Sequence, residues 1–140
     1  MPKGSGKCLC GAVTFTAENV ETHFHACHCG MCRRWSGAPG FAAAAEGVKF
    51  AGEENIVRYR SSDWAERGFC RKCGTGLFYF LKPTGQYSMQ VGVFDEPTDF
   101  TLTEEIFIDR KPAGYAFAGD LPKKTEAEVM AAFAEGSSTE

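Results

Sequence analysis

The sequence predicts a mainly β domain that ends in one short C-terminal helix. Short apolar-polar alternations recur along the chain, separated by glycines, of which there are 16 in 140 residues. Strand-sized runs outnumber helix-sized ones, the pattern of an all-β or largely β fold. A single helix start signal stands near the end of the chain.

The elements follow in chain order. Met1 to Gly6 reads as a polar, flexible start with no apolar segment after it, unlike a secretory leader. Ala12 to Thr16 alternates and reads as a strand, and Val20 to Cys27 as a second. Gly30 to Ser36 fits one turn of helix or a tight knuckle. Phe41–Ala45 and Val48–Phe50 read as short strands, because Gly40 and Gly47 leave the alanine run too little room for a helix. Ile56–Arg60, Leu77–Leu81, Tyr87–Phe94 and Ile106–Ile108 complete the strands. The helix begins at Thr125, which with Glu128 forms a Thr-x-x-Glu capping box. Val129, Met130 and Phe133 give it an apolar face. Gly136 stops it, and Ser137 to Glu140 forms a frayed tail. Residues 1–140 make a single domain with an ordered core from about 6 to 135 and flexible termini.

Composition narrows the function classes. The formal net charge is −3, which lacks the basic footprint of general nucleic-acid binding. No apolar run reaches the roughly 18 residues of a membrane span. Seven cysteines are too many for ordinary usage, and an odd number cannot all pair as disulfides. With no leader, the expected compartment is the reducing cytoplasm, where such clusters bind metal.

The cysteine spacing divides the seven into four and three. Cys8 and Cys10 share a face if extended. Cys70-x-x-Cys73 is a knuckle whose turn Gly74 frees. Two such pairs meeting make a closed tetrahedral thiolate site. Buried free cysteines, packed as small apolar side chains, are the plainer alternative. Cys27, Cys29 and Cys32 form an independent cluster able to hold one ion with one position open. His28 would point away from that ion. His25 and His23 read as exposed or hydrogen-bonded strand histidines, although His25 shares the face of Cys27 and Cys29 and could fill the fourth position, which would close the site. Arg33 and Arg34 follow the cluster and would offset its charge or hold a substrate carboxylate. Trp35 and Trp64 read as core or cleft-wall residues.

These residues carry a resemblance. Cys8-Leu9-Cys10-Gly11, Cys27-His28-Cys29-Gly30-Met31-Cys32-Arg33-Arg34 and Cys70-Arg71-Lys72-Cys73-Gly74 occur in the order seen in the glutathione-dependent formaldehyde-activating enzyme family. Ile106 to Pro112 also resembles it. The resemblance implies several small antiparallel sheets in a fold similar to that of the Mss4 protein. It implies two zinc ions per chain: a structural one on Cys8, Cys10, Cys70 and Cys73, and a second on Cys27, Cys29 and Cys32, where glutathione would bind. The implied activity joins formaldehyde to glutathione, a carbon–sulfur lyase reaction run in reverse. Relatives commonly carry a tryptophan two residues after Lys-Pro. Here Gly114 and then Tyr115 follow Lys111-Pro112-Ala113.

An open zinc site fits thiol activation, since zinc binds thiolate and can polarise a carbonyl. The expected function is therefore a zinc-dependent lyase joining a small thiol such as glutathione to an aldehyde. The rivals are a zinc-stabilised protein-binding module without catalysis and, disfavoured by charge, a zinc-ribbon nucleic-acid binder. A missing tryptophan wall at Gly114 would widen the pocket, weaken condensation of formaldehyde and favour a bulkier aldehyde. Tyr115, one position on, would face the opposite side if the segment were a strand.

Overall fold

The computed structural model describes residues 1–134. The mainly β class holds. Among the described residues the strands gather into a three-stranded antiparallel sheet and a nine-stranded mixed one.

The smaller sheet has the order β1 (Gly4–Lys7), β2 (Thr14–Ala17), β6 (Lys49–Ala51). The start of the chain is thus a strand and not a free tail. Its glycines serve close packing: a Cβ on Gly6 would lie 2.1 Å from the Val93 carbonyl oxygen. Glycine content there reports proximity, and composition alone could not separate that from flexibility.

The larger sheet is built on β5 (Gly40–Glu46). This alanine-rich strand pairs with β4 (His23–Cys27) and β3 (Asn19–Val20) on one side and β10 (Gln86–Gln90) on the other. From β10 the sheet continues through β9 (Gly76–Leu81) and β8 (Ala65–Cys70) to β7 (Ile56–Arg60). Beyond β4 lie β11 (Thr101–Ile106) and β12 (Lys123–Lys124), both joined in parallel. That parallel edge was not legible in the sequence. Its β4–β11 pairing joins residues about 80 positions apart, such as His23 and Thr101, which no local pattern encodes.

The first short helix, α1 (Gly30–Ser36), realises the helical option for that segment. The second, α2 (Glu126–Ala134), starts as expected: Thr125 N–H donates to Glu128 Oε1 at 2.8 Å, and Glu128 N–H to Thr125 Oγ1 at 3.2 Å. Gly136 and the tail fall outside the described residues.

One strand ends earlier than expected, and the one expected at Ile106–Ile108 lies instead at Thr101–Ile106. β10 stops at Gln90 and turns through Val91–Val93. β11 stops at Ile106 because Phe107 adopts a left-handed φ of 55°. Successive residues of a strand face opposite sides. Ile106 and Phe107 nevertheless pack into one cluster with Cys27 and Val129, so the strand must break between them.

The main core contains Val13, Phe15, Leu77, Phe78 and Met89, together with Cys8 and Cys70. In β8, Gly68 lies under the ring of Phe78, where a Cβ would approach to 2.2 Å. Replacing Gly68 with Ala is expected to destabilise the fold by about 1–3 kcal/mol through overpacking, read as a lower midpoint in urea unfolding. An unchanged midpoint would mean that the Phe78 ring has room to move.

Candidate functional site

The seven cysteines form the two groups that their spacing indicates. The Sγ atoms of Cys8, Cys10, Cys70 and Cys73 lie within 4.8 Å of one another, and so do those of Cys27, Cys29 and Cys32.

The first group is made by two facing knuckles. Gly74 N–H donates to the Cys70 carbonyl at 2.8 Å, with Gly74 at φ 79°. Cys8 and Cys10 are brought together by a turn as well, closed by Gly11 N–H donating to the Cys8 carbonyl at 3.1 Å. An extended segment was expected there. The turn achieves the same approach while placing Cys8 in the core and Cys10 at the surface. Cys8 Sγ is 3.7 Å from Cys10 Sγ, which is 3.8 Å from Cys70 Sγ. A tetrahedral zinc with bonds of about 2.3 Å has sulfur–sulfur edges of about 3.8 Å. The donor set and its spacing therefore fit zinc.

The second group sits where β4 meets α1. Cys27 ends β4, and Cys29 caps α1, its sulfur accepting from Cys32 N–H at 3.4 Å. A helix N-terminus favours a sulfur anion. Hydrogen bonds from Cys27 and Cys32 push the Cys29 thiol well below its ordinary range, helped by the Cys32 N–H and by Arg67. The same bonds, seen from Cys27, push that thiol up, as does burial. Three converging sulfurs of which one ionises readily fit a soft divalent cation.

These sulfurs open on a cavity of about 310 Å³. Trp35, Trp64, Phe41 and Phe107 form much of its wall, and α2 adds Val129, Met130 and Phe133. The apolar face of the C-terminal helix is thus a wall of the site. The helix is held there by Arg110, which pairs with Glu126 at 2.6 Å, and by Asp109, which accepts from Glu126 N–H at 2.9 Å. His25 lines the cavity but lies outside the three-sulfur group, and His23 is exposed on the edge of β4.

Arg67 was not singled out by the sequence, although it stands three residues before Cys70. It projects from β8 into this cavity and is only 7% exposed. One Nη2–H donates to Cys32 Sγ at 3.7 Å, and the guanidinium lies 5.1 Å from the Tyr79 ring centroid. Its Nε is buried with no hydrogen-bond partner.

His28 does turn away from the sulfurs, into complete burial. Its Nε2–H donates to Glu105 Oε1 at 2.9 Å, and its Nδ1 meets the Tyr115 hydroxyl at 3.1 Å. A carboxylate only accepts, which places the N–H on Nε2. Glu105, 4% exposed, also faces Lys123 at 3.7 Å. This chain ties the Cys27–Cys29 link to β11 and to the 111–117 loop. Glu105 carried no sequence signal beyond a polar residue in a strand.

Arg33 and Arg34 do not line the three-sulfur cavity. They border a second, shallower hollow with Pro112 and Tyr115. Arg33 Nε–H donates to the His28 carbonyl at 3.0 Å, and Arg34 is exposed. Gly114 occupies a surface turn, and a Cβ there would meet nothing within 4 Å. Because the segment is not a strand, the alternation argument does not apply to Tyr115, which faces His28. Gly114 also does not line the three-sulfur cavity, whose aromatic walls come from elsewhere.

Fold and site together define a class: a mainly β domain with two cysteine clusters that could each hold a metal ion, one anchored in the core by Cys8 and Cys70 and one open to a cavity. The chain belongs to the glutathione-dependent formaldehyde-activating enzyme family, whose pattern matches residues 3–110. It is 34% identical over 132 residues to an uncharacterized lyase of Schizosaccharomyces pombe, covering 93% of this chain and 96% of that one. The crystal structure of a Rhodobacter sphaeroides protein shares the fold, with a TM-score of 0.57 and 23% identity over 85% of this chain and 98% of the other. Among the described residues no helix is long and apolar enough to cross a membrane.

Proposed function

We propose that the protein is a zinc-dependent carbon–sulfur lyase-type enzyme that joins a small thiol, glutathione in the first instance, to formaldehyde or a related aldehyde in the cytoplasm. The observation that carries this reading is the opening of the Cys27–Cys29–Cys32 cluster onto a cavity. Membership of the family and likeness to a lyase support the same reaction class. In this reading Cys8, Cys10, Cys70 and Cys73 hold a structural zinc, and Cys27, Cys29 and Cys32 hold the second. Zinc at the second position would keep a substrate thiol ionised and polarise a carbonyl oxygen.

The chain's own residues do the rest. Cys29, as helix cap, presents an anionic sulfur to the site. The aromatic walls exclude water, and confinement of thiol and carbonyl in one cavity removes much of the entropic barrier to their meeting. Arg33 and Arg34 are the proposed receivers of glutathione carboxylates, at the hollow they border.

The test combines metal analysis, calorimetric titration of glutathione and exchange NMR of S-(hydroxymethyl)glutathione formation. We expect two zinc ions per chain, glutathione binding, and adduct exchange faster than the spontaneous rate. A fully loaded protein that ignores glutathione would instead be a binding module. Arg34→Ala is the cleaner probe of the clamp, because Arg33 also supports the His28 carbonyl. It should weaken glutathione binding by roughly 1–3 kcal/mol and leave mercaptoethanol binding unchanged. Equal losses for both thiols would place the damage at the metal site.

A further inference from the structure

One cation in the three-sulfur cavity lacks the partner that a buried charge normally has. Among the described residues Arg67 is the only Lys or Arg side chain in the lining, and it is 7% exposed. A charge taken out of water is destabilising unless an opposite charge faces it. The neighbouring carboxylates are committed elsewhere. Glu126, which also lines the cavity, pairs with Arg110 at 2.6 Å, and Glu66, next to Arg67 on β8, pairs with Arg58 at 3.5 Å. The Arg67 Nε–H has no acceptor either. What Arg67 faces is sulfur: its Nη2 lies 3.7 Å from Cys32 Sγ, which belongs to one group with Cys27 and Cys29. Two rings hold the guanidinium there, with centroids 5.1 Å away at Tyr79 and 6.0 Å away at Trp35. An aromatic face attracts a cation but carries no net charge. Among the described residues the three-sulfur group is thus the anion that Arg67 faces. A divalent cation held by three thiolates keeps one negative charge in excess.

We propose that Arg67 is the fixed counter-charge of the three-sulfur site, and that it makes the fourth metal position selective for an anionic ligand, a thiolate above all, over a neutral donor. The proposal rests on the reading that a divalent ion occupies this group, and not on the lyase reaction itself. A thiol that enters the fourth position releases its proton to solvent, and the excess then rises from one negative charge to two. The cavity is walled mostly by apolar side chains. Without a cation beside it the second charge is strongly disfavoured there, and a neutral donor such as water or imidazole is preferred. A guanidinium stays protonated throughout the pH range of folded proteins, so the compensation is permanent. Arg67 acts here as a specificity-determining residue, favouring the ionised thiol without touching the reacting carbon.

Ligand binding at the metal tests this, without turnover. The ion that mild chelation removes is replaced by cobalt(II), whose absorption spectrum changes with each ligand that joins it. The loaded protein is titrated with mercaptoethanol, azide and imidazole. The first two bind as anions and the third as a neutral donor, and none carries a carboxylate for Arg33 or Arg34 to hold. Arg67→Gln is expected to weaken mercaptoethanol and azide binding by about ten-fold or more, and imidazole binding by less than about two-fold. Arg67→Lys should restore most of the anion binding, since it returns the charge. Equal losses for all three ligands would mean that Arg67 only shapes the site, and would overturn the proposal. So would anion binding that is unchanged in Arg67→Gln. Should Arg67→Gln fail to fold, Arg67→Met fills the same space without a charge and carries the same comparison. A three-sulfur group that takes up no cobalt in the wild type would refute the metal reading and the proposal with it. The expected charge effect in a protein that forms no thiol adduct would uphold the proposal and refute the lyase reading alone.

Discussion

Replacing Cys70 with Ser is expected to prevent stable folding, whereas Cys32→Ser should leave a folded protein that has lost its more weakly held ion. The two sulfurs differ in what surrounds them. Cys70 is fully buried, packed in the main core with Cys8, Leu77 and Phe78. Its loss would remove one of the four proposed ligands and set a hydroxyl among apolar side chains. Ligand binding by a structural zinc is itself folding free energy, here on the order of several kcal/mol. Domains of this size have only about 5–15 kcal/mol in total. Cys32 is half-buried on α1, outside the main core, with a cavity beside it. The check is far-UV circular dichroism with metal content for both variants. Mild chelation of the wild type should likewise remove one ion and spare the β signal. A soluble Cys70→Ser with an insoluble Cys32→Ser would exchange the roles of the two clusters.

The second large effect is expected at His28. His28→Ala removes a fully buried ring and leaves the Glu105 carboxylate, itself 4% exposed, with only Lys123 at 3.7 Å. The buried carboxylate's lost hydrogen bond and the lost packing together should cost about 3 kcal/mol. That corresponds to a fall in Tm on the order of 10 °C. Glu105→Gln keeps an acceptor for the Nε2–H and should cost much less, and Tyr115→Phe about 1 kcal/mol. Because His28 stands between Cys27 and Cys29, the Ala variant should also retain the second ion less well. A Tm within a degree or two of wild type would mean that water replaces the imidazole, and that the buried link does not hold the cluster in place.

The cysteine pairs and the triplet were legible because their spacing is local, and four of the seven cysteines occupy turns whose glycines are visible in sequence. The helix start at Thr125 was legible for the same reason. The cavity was not. Its buried guanidinium comes from β8, one wall from α2 and another from the break after Ile106, and only the tertiary fold joins them. Arg33 and Arg34 stand beside the cluster in sequence, yet α1 points them away from the cavity. Arg67 is 35 residues from Cys32 and reaches it. At Gly114 a strand-based argument failed because the segment is a surface turn, where alternation has no meaning.

The unequal reach of the two clusters also orders events in time. Cys27, Cys29 and Cys32 lie within six residues, so their sulfurs can converge as soon as that stretch leaves the ribosome. Cys8 and Cys10 must wait for Cys73, 41 residues after Cys32. At about 5–20 residues per second that is roughly 2–8 s of synthesis. For those seconds five thiols are present on an unfinished chain that lacks β8 to β11, the strands that complete the larger sheet. Only the late knuckle at Cys70–Cys73 completes the group that Cys8 and Cys10 begin, with Cys8 in the core and Cys10 at the surface. A nascent chain stalled before residue 70 therefore carries the reactive trio without the frame that separates it from its neighbours, a state open to premature metal capture and to oxidation.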